Sequence, residues 1–441
     1  MPISQKPAFN LKVVLNETGI KADMLRAWER RYGLPMPQRS EGGHRLYSQR
    51  DIETIRWLIA RQNEGLSISR AVDLWREIEA SAGDPLADVR RPGGSVPTAL
   101  AAQTSLDVLR TEWITACQAF NESFADQALN QAFALYPIES VCVEVLQRGM
   151  SEIGSLWYES RVTVQQEHFA SGLAMRRLDA LLAASPAPTR GQTVLVGCPP
   201  QEWHTFTALL LALFLRRRSL NVIYLGANVP DNRFSETVTS VHADLVVLVS
   251  QQLITAASLQ QIAAALSSQQ VNIGFGGRIF SLQPDLAKHI AGHFLGNDLV
   301  GAVETIEVLL ANHSDPPAPI LPEADYLETL KAFLSKRTLI EAELDESSKS
   351  LQLPLDYVYT ANQFMGDNIA AALRLGNMGF LDAEIDWLNT FLRGHRLPLK
   401  LVHQYLGVYA EALRHQLGEH ATPVVAWLEK QSKADGDKGN K

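Results

Sequence analysis

One histidine in the middle of the chain has the setting of a metal ligand. His204 follows the β-branched run Thr193–Val196 (TVLV) and the pair Pro199-Pro200, and Glu202 stands two residues before it. An imidazole nitrogen is a good ligand for cobalt, and a carboxylate at this spacing can accept the other ring N–H and raise the basicity of the ring. Histidines in loops are also often structural, so the pair alone leaves both interpretations open.

Small residues end two later β-branched runs. Ser250 follows Leu245–Val249 (LVVLV), and Gly276 and Gly277 follow Val271–Phe275 (VNIGF). A serine hydroxyl can bond a buried nitrogen, and glycines let the backbone approach a bulky ligand. Ligands of a parallel, doubly wound sheet bind outside the carboxyl ends of its strands, so we expect these residues to lie with the histidine at one site.

A third group of residues lies upstream, in a stretch with helical periodicity. Trp157 is followed ten residues later by Glu167 and then His168. On a continuous helix these distances are about three turns, which would put the three side chains on one face. They could then roof a flat macrocycle and contact its upper ligand. The alternative is a core tryptophan with a Glu-His pair on the surface.

The order of histidine, serine and paired glycines resembles the cobalamin-binding domain of methionine synthase, corrinoid proteins and isomerases. The pattern in that family is Asp-x-His-x-x-Gly, then Ser-x-Leu, then Gly-Gly. The resemblance implies that His204 is the lower axial ligand of cobalt and that Glu202 is its hydrogen-bonding partner. It also implies that the channel for the nucleotide tail is lined by Ser250, Gly276 and Gly277.

Two departures from that pattern bear on the affinity for cobalamin. Thr207 stands where the family has glycine, and a side chain there can crowd the nucleotide tail. The serine motif reads Ser-Gln-Gln-Leu and is one residue longer than in the family.

The first 80 residues carry the pattern of a winged helix-turn-helix. Arg26 and Arg30 are four residues apart on the second predicted helix and share a face that can enter a major groove. The alternative is that Trp28 and Tyr47 are core and the arginines form a solvated face. The predicted elements are helices at Leu11–Thr18, Lys21–Arg31 and Asp51–Glu64, with a hairpin at Gly42-Gly43 between the last two.

The string LRAWERRYGL (Leu25–Leu34), followed by Arg39, GGHRLY (Gly42–Tyr47) and Arg50-Asp51-Ile52, resembles the head of the MerR family over about residues 9–78. The resemblance implies a homodimer on a pseudo-palindromic operator in double-stranded DNA. A linker stands where MerR proteins usually have a long coiled coil, so the dimer geometry must come from the sensor. The implied DNA contacts are Arg26, Trp28, Arg30, Arg31, Arg39, Arg45 and Tyr47.

The spacing Trp-x9-Glu-His matches the cap of CarH- and LitR-type regulators, which join a MerR head, a helical cap and a cobalamin domain in this order. The resemblance implies a light-sensing repressor of carotenoid or stress genes. In that scheme adenosylcobalamin stabilises a DNA-bound homotetramer in the dark, and photolysis of its cobalt–carbon bond dismantles the tetramer. Tyr158 stands where some relatives have a histidine that binds cobalt after photolysis.

The fold class that we predict is multidomain α and α/β. Alternating strands and helices between residues 192 and 310 indicate a parallel, doubly wound sheet. The predicted parts are a winged helix-turn-helix (1–80), a linker (81–104), a four-helix cap bundle (105–188), a Rossmann-like cobalamin-binding domain (189–314), a C-terminal helical bundle (315–432) and a disordered tail (433–441).

The C-terminal bundle has no counterpart in the minimal CarH layout. We favour a role in oligomerisation or signal transmission, and a bolder hypothesis gives it a second chromophore pocket for a linear tetrapyrrole such as biliverdin. Its histidines His395, His403, His415 and His420 are more typical of surface or core polar positions than of ligands. The predicted core is Trp387, Phe391, Val402, Tyr405, Val408 and Leu413.

Composition favours an intracellular binding protein. The net charge is −8, yet residues 1–76 contain 13 Lys+Arg against 8 Asp+Glu, and a basic head suits a polyanion. Three cysteines without zinc spacing and no apolar stretch of about 20 residues indicate a cytoplasmic protein without a membrane segment. No nucleophile–base pair, phosphate loop or metal cluster is recognisable in the sequence, so we do not expect an enzyme.

Three hypotheses therefore compete. The first is a DNA-binding repressor controlled by adenosylcobalamin and light. The second keeps the regulator but gives it haem or a bilin, or no cofactor and a protein antagonist, and Thr207 favours it. The third is a corrinoid carrier in methyl transfer, against which the DNA-reading head argues.

Overall fold

The structure is a computed structural model that describes most of the chain. Its described residues are 4, 6–18, 20–39, 43, 45–63, 68–80, 86, 105–231, 234–269, 271–312, 314–348, 355–385, 388, 389 and 400–433. They divide into two compact units, residues 1–104 and residues 105–441. No helix in these ranges is long and apolar enough to cross a membrane.

The first unit is a small antiparallel sheet with helices packed on it. Its elements are β1 (Phe9–Asn10), α1 (Leu11–Thr18), α2 (Ala22–Tyr32), β2 (Gln38–Arg39), β3 (Arg45–Tyr47), α3 (Gln49–Asn63) and α4 (Ile68–Ala80). The strand order is β1-β3-β2, so the two arms of the predicted wing are neighbours. Gly33 ends α2 in the left-handed conformation, with φ of 70°, which glycine adopts without steric cost. The bounds of α1 are those predicted, and α2 begins and ends one residue later than predicted. Of the predicted hairpin glycines, Gly42 lies outside the described residues.

The second unit begins with a helical bundle. Its elements are α5 (Leu106–Gln118), α6 (Glu122–Leu135), α7 (Ile138–Val141), a π-helical stretch (Cys142–Gln147), α8 (Arg148–Tyr158) and α9 (Val164–Ala183). Helix α7, the π-helical stretch and α8 follow one another without a gap and form one continuous helical segment. With α5, α6 and α9 this segment makes the four-helix bundle that the sequence predicts. A buried Trp113 fills its centre.

The continuous helix that would put Trp157 on one face with Glu167 and His168 does not form. Helix α8 ends one residue after Trp157, and α9 begins with a capping box. In that box the Thr163 hydroxyl accepts from the Gln166 N–H, and the Gln166 side chain accepts from the Thr163 N–H. The prediction of a shared helical face is therefore wrong: the tryptophan ends one helix and the Glu-His pair opens the next.

A parallel sheet follows the bundle. Its elements are β4 (Thr193–Gly197), α10 (Phe206–Arg217), β5 (Asn221–Gly226), α11 (Phe234–Val241), β6 (Leu245–Val249), α12 (Leu253–Ser267), β7 (Ile273–Gly276), α13 (Arg278–Leu282), a 3-10 turn (Pro284–His289), β8 (His293–Phe294) and α14 (Leu299–Ala311). The strand order is β5-β4-β6-β7-β8, and all paired strands are parallel. The predicted α/β class is thus confirmed. The sequence missed β8, because two residues give no periodicity.

Each face of this sheet is covered by a different neighbour. Along β6, Val246 and Leu248 belong to one core, which they share with helices from the C-terminal part of the chain. Val247 and Val249 point the other way, into a core shared with the helical bundle. Because successive strand residues face opposite sides, burial on both faces requires the unbroken apolar runs seen in the sequence.

The C-terminal part is helical. Its elements are α15 (Ala324–Ser347), α16 (Leu355–Leu375), a 3-10 turn (Met378–Leu381), α17 (Lys400–Leu417), a second 3-10 turn (Gly418–Ala421) and α18 (Thr422–Lys433). Helix α16 packs on α12, which joins this bundle to the sheet.

Several predictions for this region can be compared with the structure. Val402, Tyr405 and Leu413 are buried as predicted, and Val408 is half-buried. Trp387, Phe391, His395, residues 434–441 and the linker 81–104 apart from Leu86 lie outside the described residues.

Candidate cofactor site and nucleic-acid interface

The candidate cofactor site lies at the carboxyl ends of the two central strands. Strands β4 and β6 are neighbours, but the connection from β4 leads to β5 on one side and that from β6 leads to β7 on the other. Such a reversal opens a crevice, which is where ligands bind in open α/β sheets. The loop after β4 carries Glu202 and His204, and the loop after β6 carries Ser250 and Gln251.

Glu202 is fully buried, and the loops of both strands hold its carboxylate. Oε1 accepts from the backbone N–H of His204 at 3.0 Å and bonds the ring Nδ1 of the same residue at 2.7 Å. Oε2 accepts from the backbone N–H of Gln251 at 2.7 Å and from the hydroxyl of Thr255 at 2.7 Å. Burial alone would raise the pKa of Glu202, but these hydrogen bonds outweigh it and lower the pKa. The carboxylate is thus fixed as an anion.

His204 is oriented by this carboxylate but remains accessible. Its Nδ1 donates to Glu202, and 62% of its side chain is exposed. The hydrogen bond to Glu202 raises the pKa of His204, although partial burial opposes the shift. Nε2, the other ring nitrogen, has no partner in the described part of the chain. Trp203 next to it is 68% exposed and offers apolar surface. This is the arrangement in which a carboxylate orients a metal-binding imidazole.

Ser250 and Gly276 fit the tail of a large ligand, whereas the predicted role of Gly277 is not supported, because the space at Gly277 is filled by the Ser250 backbone. Ser250 is fully buried, yet its Oγ has no hydrogen-bond partner among the described residues. A Cβ on Gly277, where φ is +123°, would lie 1.9 Å from the backbone oxygen of Ser250. A Cβ on Gly276 would meet nothing within 4 Å. An unsatisfied hydroxyl beside open backbone is the donor that a ligand nitrogen needs, so these residues fit a cobalamin.

The corner between α8 and α9 carries the upstream group of candidate site residues. The pKa of His204 is raised mainly by its hydrogen bond to Glu202, and the charge of Glu167 adds to that shift. Glu167 and His168 form a pair, with 3.3 Å between Oε2 and Nδ1. Trp157 is half-buried, and its ring centroid is 4.9 Å from that of Tyr158. The structure therefore places Trp157 and the Glu167-His168 pair at the two ends of a corner rather than on one helical face.

Thr207 and the three cysteines are the remaining residues of this unit that the sequence singles out. Thr207 is half-buried in the first turn of α10. All three cysteines are buried, and burial raises the pKa of Cys198 to about 12. Within the described ranges no three His, Cys, Asp or Glu side chains form a metal-binding group.

The second helix and the second strand of the first unit carry exposed arginines. Arg26, Arg30, Arg31 and Arg39 are exposed. Asp23 lies near Arg26, with 3.6 Å between their charged atoms, but both side chains are open to solvent. These guanidinium groups are available to phosphates and guanine edges.

The structure overrules two of the predicted DNA contacts. Trp28 is 3% exposed and Tyr47 is 0% exposed, so both are core residues and neither can reach a groove. This is the alternative that the sequence left open for these two side chains. Arg45 is intermediate, since its Nε donates to Glu29 at 2.8 Å and its side chain is 36% exposed.

Glu29 is a positioning residue that the sequence analysis missed. It accepts from the Arg45 guanidinium and, at 2.6 Å, from the Tyr47 hydroxyl, which ties α2 to the last strand of the wing. Burial and this hydrogen bond raise the pKa of Tyr47. A glutamate directly before two arginines looks like ordinary helix surface, so nothing local could have revealed this role.

Replacing Glu29 with alanine should destabilise the first unit by about 1–3 kcal/mol, because the Tyr47 hydroxyl would stay buried without an acceptor. Native-state hydrogen exchange of the α2 amides in the full chain measures this loss. Glu17 is the control: it pairs with Arg56, its side chain is 53% exposed, and its loss should cost less than about 1 kcal/mol. Equal protection in the Glu29→Ala variant and the wild type would contradict the role assigned to Glu29.

Comparisons with known proteins match three successive parts of the chain. Residues 9–78 match the family described as MerR HTH family regulatory protein. Residues 109–182 and residues 192–298 match two families that are each described as a B12 binding domain.

Two relatives from Myxococcus xanthus span most of their own length in the match. The chain is 30% identical over 238 residues to the HTH-type transcriptional repressor CarH, covering 54% of this chain and 77% of the relative. It is 32% identical over 243 residues to the HTH-type transcriptional repressor CarA, covering 54% and 75%. Among solved structures, the monomethylamine corrinoid protein of Methanosarcina barkeri matches with a TM-score of 0.40 and 15% identity, over 46% of this chain and 97% of that one.

Proposed function

Since the chain belongs to the MerR family of regulators as a CarH-type member, we propose that it is a transcriptional repressor whose binding to DNA is controlled by adenosylcobalamin and light. Repression and cobalamin binding follow from the family, whereas the adenosyl ligand, the light response and the oligomeric change are the proposal. The observation that carries it is the pair of His204 and the buried Glu202, with an open Nε2 at the crevice of the sheet.

The residues of the second unit would act as follows. His204 would hold the cobalt through Nε2, and Glu202 keeps the ring in the tautomer that leaves this nitrogen free. Ser250 would bond the nucleotide base and Gly276 would leave room for the tail, while Gly277 lets the end of β7 pack closely against the Ser250 backbone. Bound adenosylcobalamin supplies a cobalt–carbon bond that light can break.

The corner between α8 and α9 would sense the upper side of the ligand. Trp157, Glu167 and His168 would contact the adenosyl group, so that the intact ligand would stabilise one position of the helical bundle. Loss of the group removes those contacts and favours a second position. A ligand shifts such an equilibrium only through its different affinity for the two states, and this contact would supply the difference.

The first unit would read double-stranded DNA through Arg26, Arg30, Arg31, Arg39 and the free part of Arg45. A homodimer or homotetramer places several such heads on one operator, which raises avidity through effective concentration. Dismantling the oligomer would then release the operator. The cytoplasmic location stays a prediction.

The test adds adenosylcobalamin to the full chain in the dark and records absorption, elution volume and operator binding before and after green light. We expect a larger species in the dark and, after illumination, a smaller one with about 100-fold weaker operator binding, because avidity is lost. Hydroxocobalamin, which lacks the adenosyl group, is the control and should give no light response. Unchanged elution and operator binding after illumination would reject light control even if the cofactor binds.

Thr207 favours a second candidate function. Its half-buried side chain stands where cobalamin domains have glycine, which favours another tetrapyrrole, haem or a bilin, or no cofactor and a protein antagonist. The same titration with haem and biliverdin separates these cases, since only the true ligand gives a bound absorption band. The corrinoid carrier is distinguished by operator binding, which a methyl carrier does not need. A second pocket for biliverdin in the C-terminal bundle stays a prediction for that titration.

A further inference from the structure

Arg278 lies where three parts of the second unit meet. It follows Gly277 directly and begins α13, beside the carboxyl end of β7. Its guanidinium carbon lies 5.9 Å from the ring centroid of Tyr158, which ends α8 in the helical bundle. This distance is within the range of a cation–π interaction.

The backbone of Arg278 is connected to the axial histidine by hydrogen bonds. Its N–H donates to Oε1 of Gln251 at 3.0 Å. The N–H of Gln251 donates to Oε2 of Glu202 at 2.7 Å, and the other carboxylate oxygen bonds the ring of His204 at 2.7 Å. Gln251 lies within the serine motif that is one residue longer than the family pattern. The connection therefore depends on a residue of this chain that the pattern does not specify.

The C-terminal bundle reaches the same place. The Gln283 side chain, at the end of α13, donates to the backbone oxygen of Phe380 at 2.9 Å. Glu384, four residues later, is half-buried; burial raises its pKa, and the positive charge of Arg278 opposes that shift. A carboxylate of the bundle thus interacts with the same guanidinium that lies over Tyr158.

We propose that Arg278 is a positioning residue that couples the cofactor site to the helical bundle on one side and to the C-terminal bundle on the other. The proposal rests on the proposed cobalamin function. A ligand that moves the end of α8 changes the distance between Tyr158 and Arg278, and with it the charge that Glu384 experiences. Coupling of this kind is reciprocal, so the C-terminal bundle in turn affects the affinity of the site.

The test is a double-mutant cycle in the full chain. Arg278→Ala, Tyr158→Leu and the double variant are titrated in the dark with adenosylcobalamin and with hydroxocobalamin. Each single variant should reduce the ratio of the affinity for adenosylcobalamin to that for hydroxocobalamin about two- to five-fold. The double variant should reduce this ratio no further than one single variant does. A merely structural role would weaken both corrinoids equally. Equal weakening, or additive losses in the double variant, would overturn the proposal.

Further variants test the other contacts of the guanidinium. Arg278→Lys keeps the charge, so it should reduce the ratio of the two corrinoid affinities less than Arg278→Ala does. Glu384→Gln should change this ratio because the C-terminal bundle is coupled to the site; an unchanged ratio would overturn that half of the proposal. Arg176→Ala is the matched control, since this exposed arginine pairs with Glu122 within the helical bundle. It should leave the ratio unchanged.

One measurement does not need the cofactor. The same cycle of Arg278 and Tyr158 is carried out on the apoprotein by urea unfolding, where non-additivity of about two- to five-fold in the unfolding equilibrium constant is expected. If the wild type binds no corrinoid, the proposed function fails, and this cycle alone decides whether the coupling exists. Additive effects in the apoprotein would then overturn it.

Discussion

Replacing His204 with alanine is expected to lower the affinity for adenosylcobalamin about 100-fold and to remove the absorption signature of a histidine-bound cobalt. The magnitude follows because loss of a residue that only orients a metal ligand already costs about 10- to 100-fold, and this change removes the ligand itself. Titration in the dark, followed by absorption spectroscopy, measures both quantities.

Two variants make this result specific. Glu202→Gln keeps a hydrogen-bond acceptor for the His204 ring but removes the buried negative charge, so we expect a smaller loss, about 10-fold. His415→Ala changes an exposed histidine in the C-terminal bundle and should alter neither affinity nor spectrum. A His204→Ala variant with the spectrum and affinity of the wild type would refute the axial-ligand assignment.

Replacing Gly277 with alanine is expected to destabilise the second unit by about 3 kcal/mol. Two costs act together: the backbone has φ of +123°, which a residue with a side chain rarely adopts, and the new Cβ would lie 1.9 Å from the backbone oxygen of Ser250. The backbone of β7 and the loop after β6 would have to separate. Urea unfolding of the full chain, followed by circular dichroism, measures the loss.

Gly276 provides the matched control one residue earlier. A Cβ there meets no atom within 4 Å, so Gly276→Ala should change the free energy of unfolding by less than about 0.5 kcal/mol. The methyl group would nevertheless occupy space that we assign to the nucleotide tail, so cobalamin affinity should fall while stability does not. Equal destabilisation by the two substitutions would contradict this account of the glycine pair.

The α/β sheet could be predicted from the sequence because its evidence is local. A strand buried on both faces needs an unbroken run of β-branched and aliphatic residues, and Leu245–Val249 is such a run from end to end. The ends of these runs also locate Ser250 and the glycines, since parallel strands bring their carboxyl ends to one edge. The family followed from motifs whose order in the chain is preserved whatever the tertiary contacts.

The tertiary structure decided which side chains those motifs expose and which partners they meet. Trp28 and Tyr47 lie in a typical DNA-reading motif, yet packing between α2 and the wing buries them, and no local pattern separates a buried aromatic residue from an exposed one. The corner between α8 and α9 consists of the five residues 159–163 and ends in the capping box of Thr163 and Gln166, and it interrupts the spacing that suggested a single helical face.

By itself, the sequence determined the order of the parts, the sheet and the residue types of the site, because these depend on spacing along the chain. Only the fold decided that Glu202 would be buried between two loops, that Glu29 would join helix and wing, and that Arg278 would lie over the ring of Tyr158. Each of these contacts joins residues that are distant in sequence or on different elements. Their free energy depends on burial and on distance in space, and neither is encoded in any one segment.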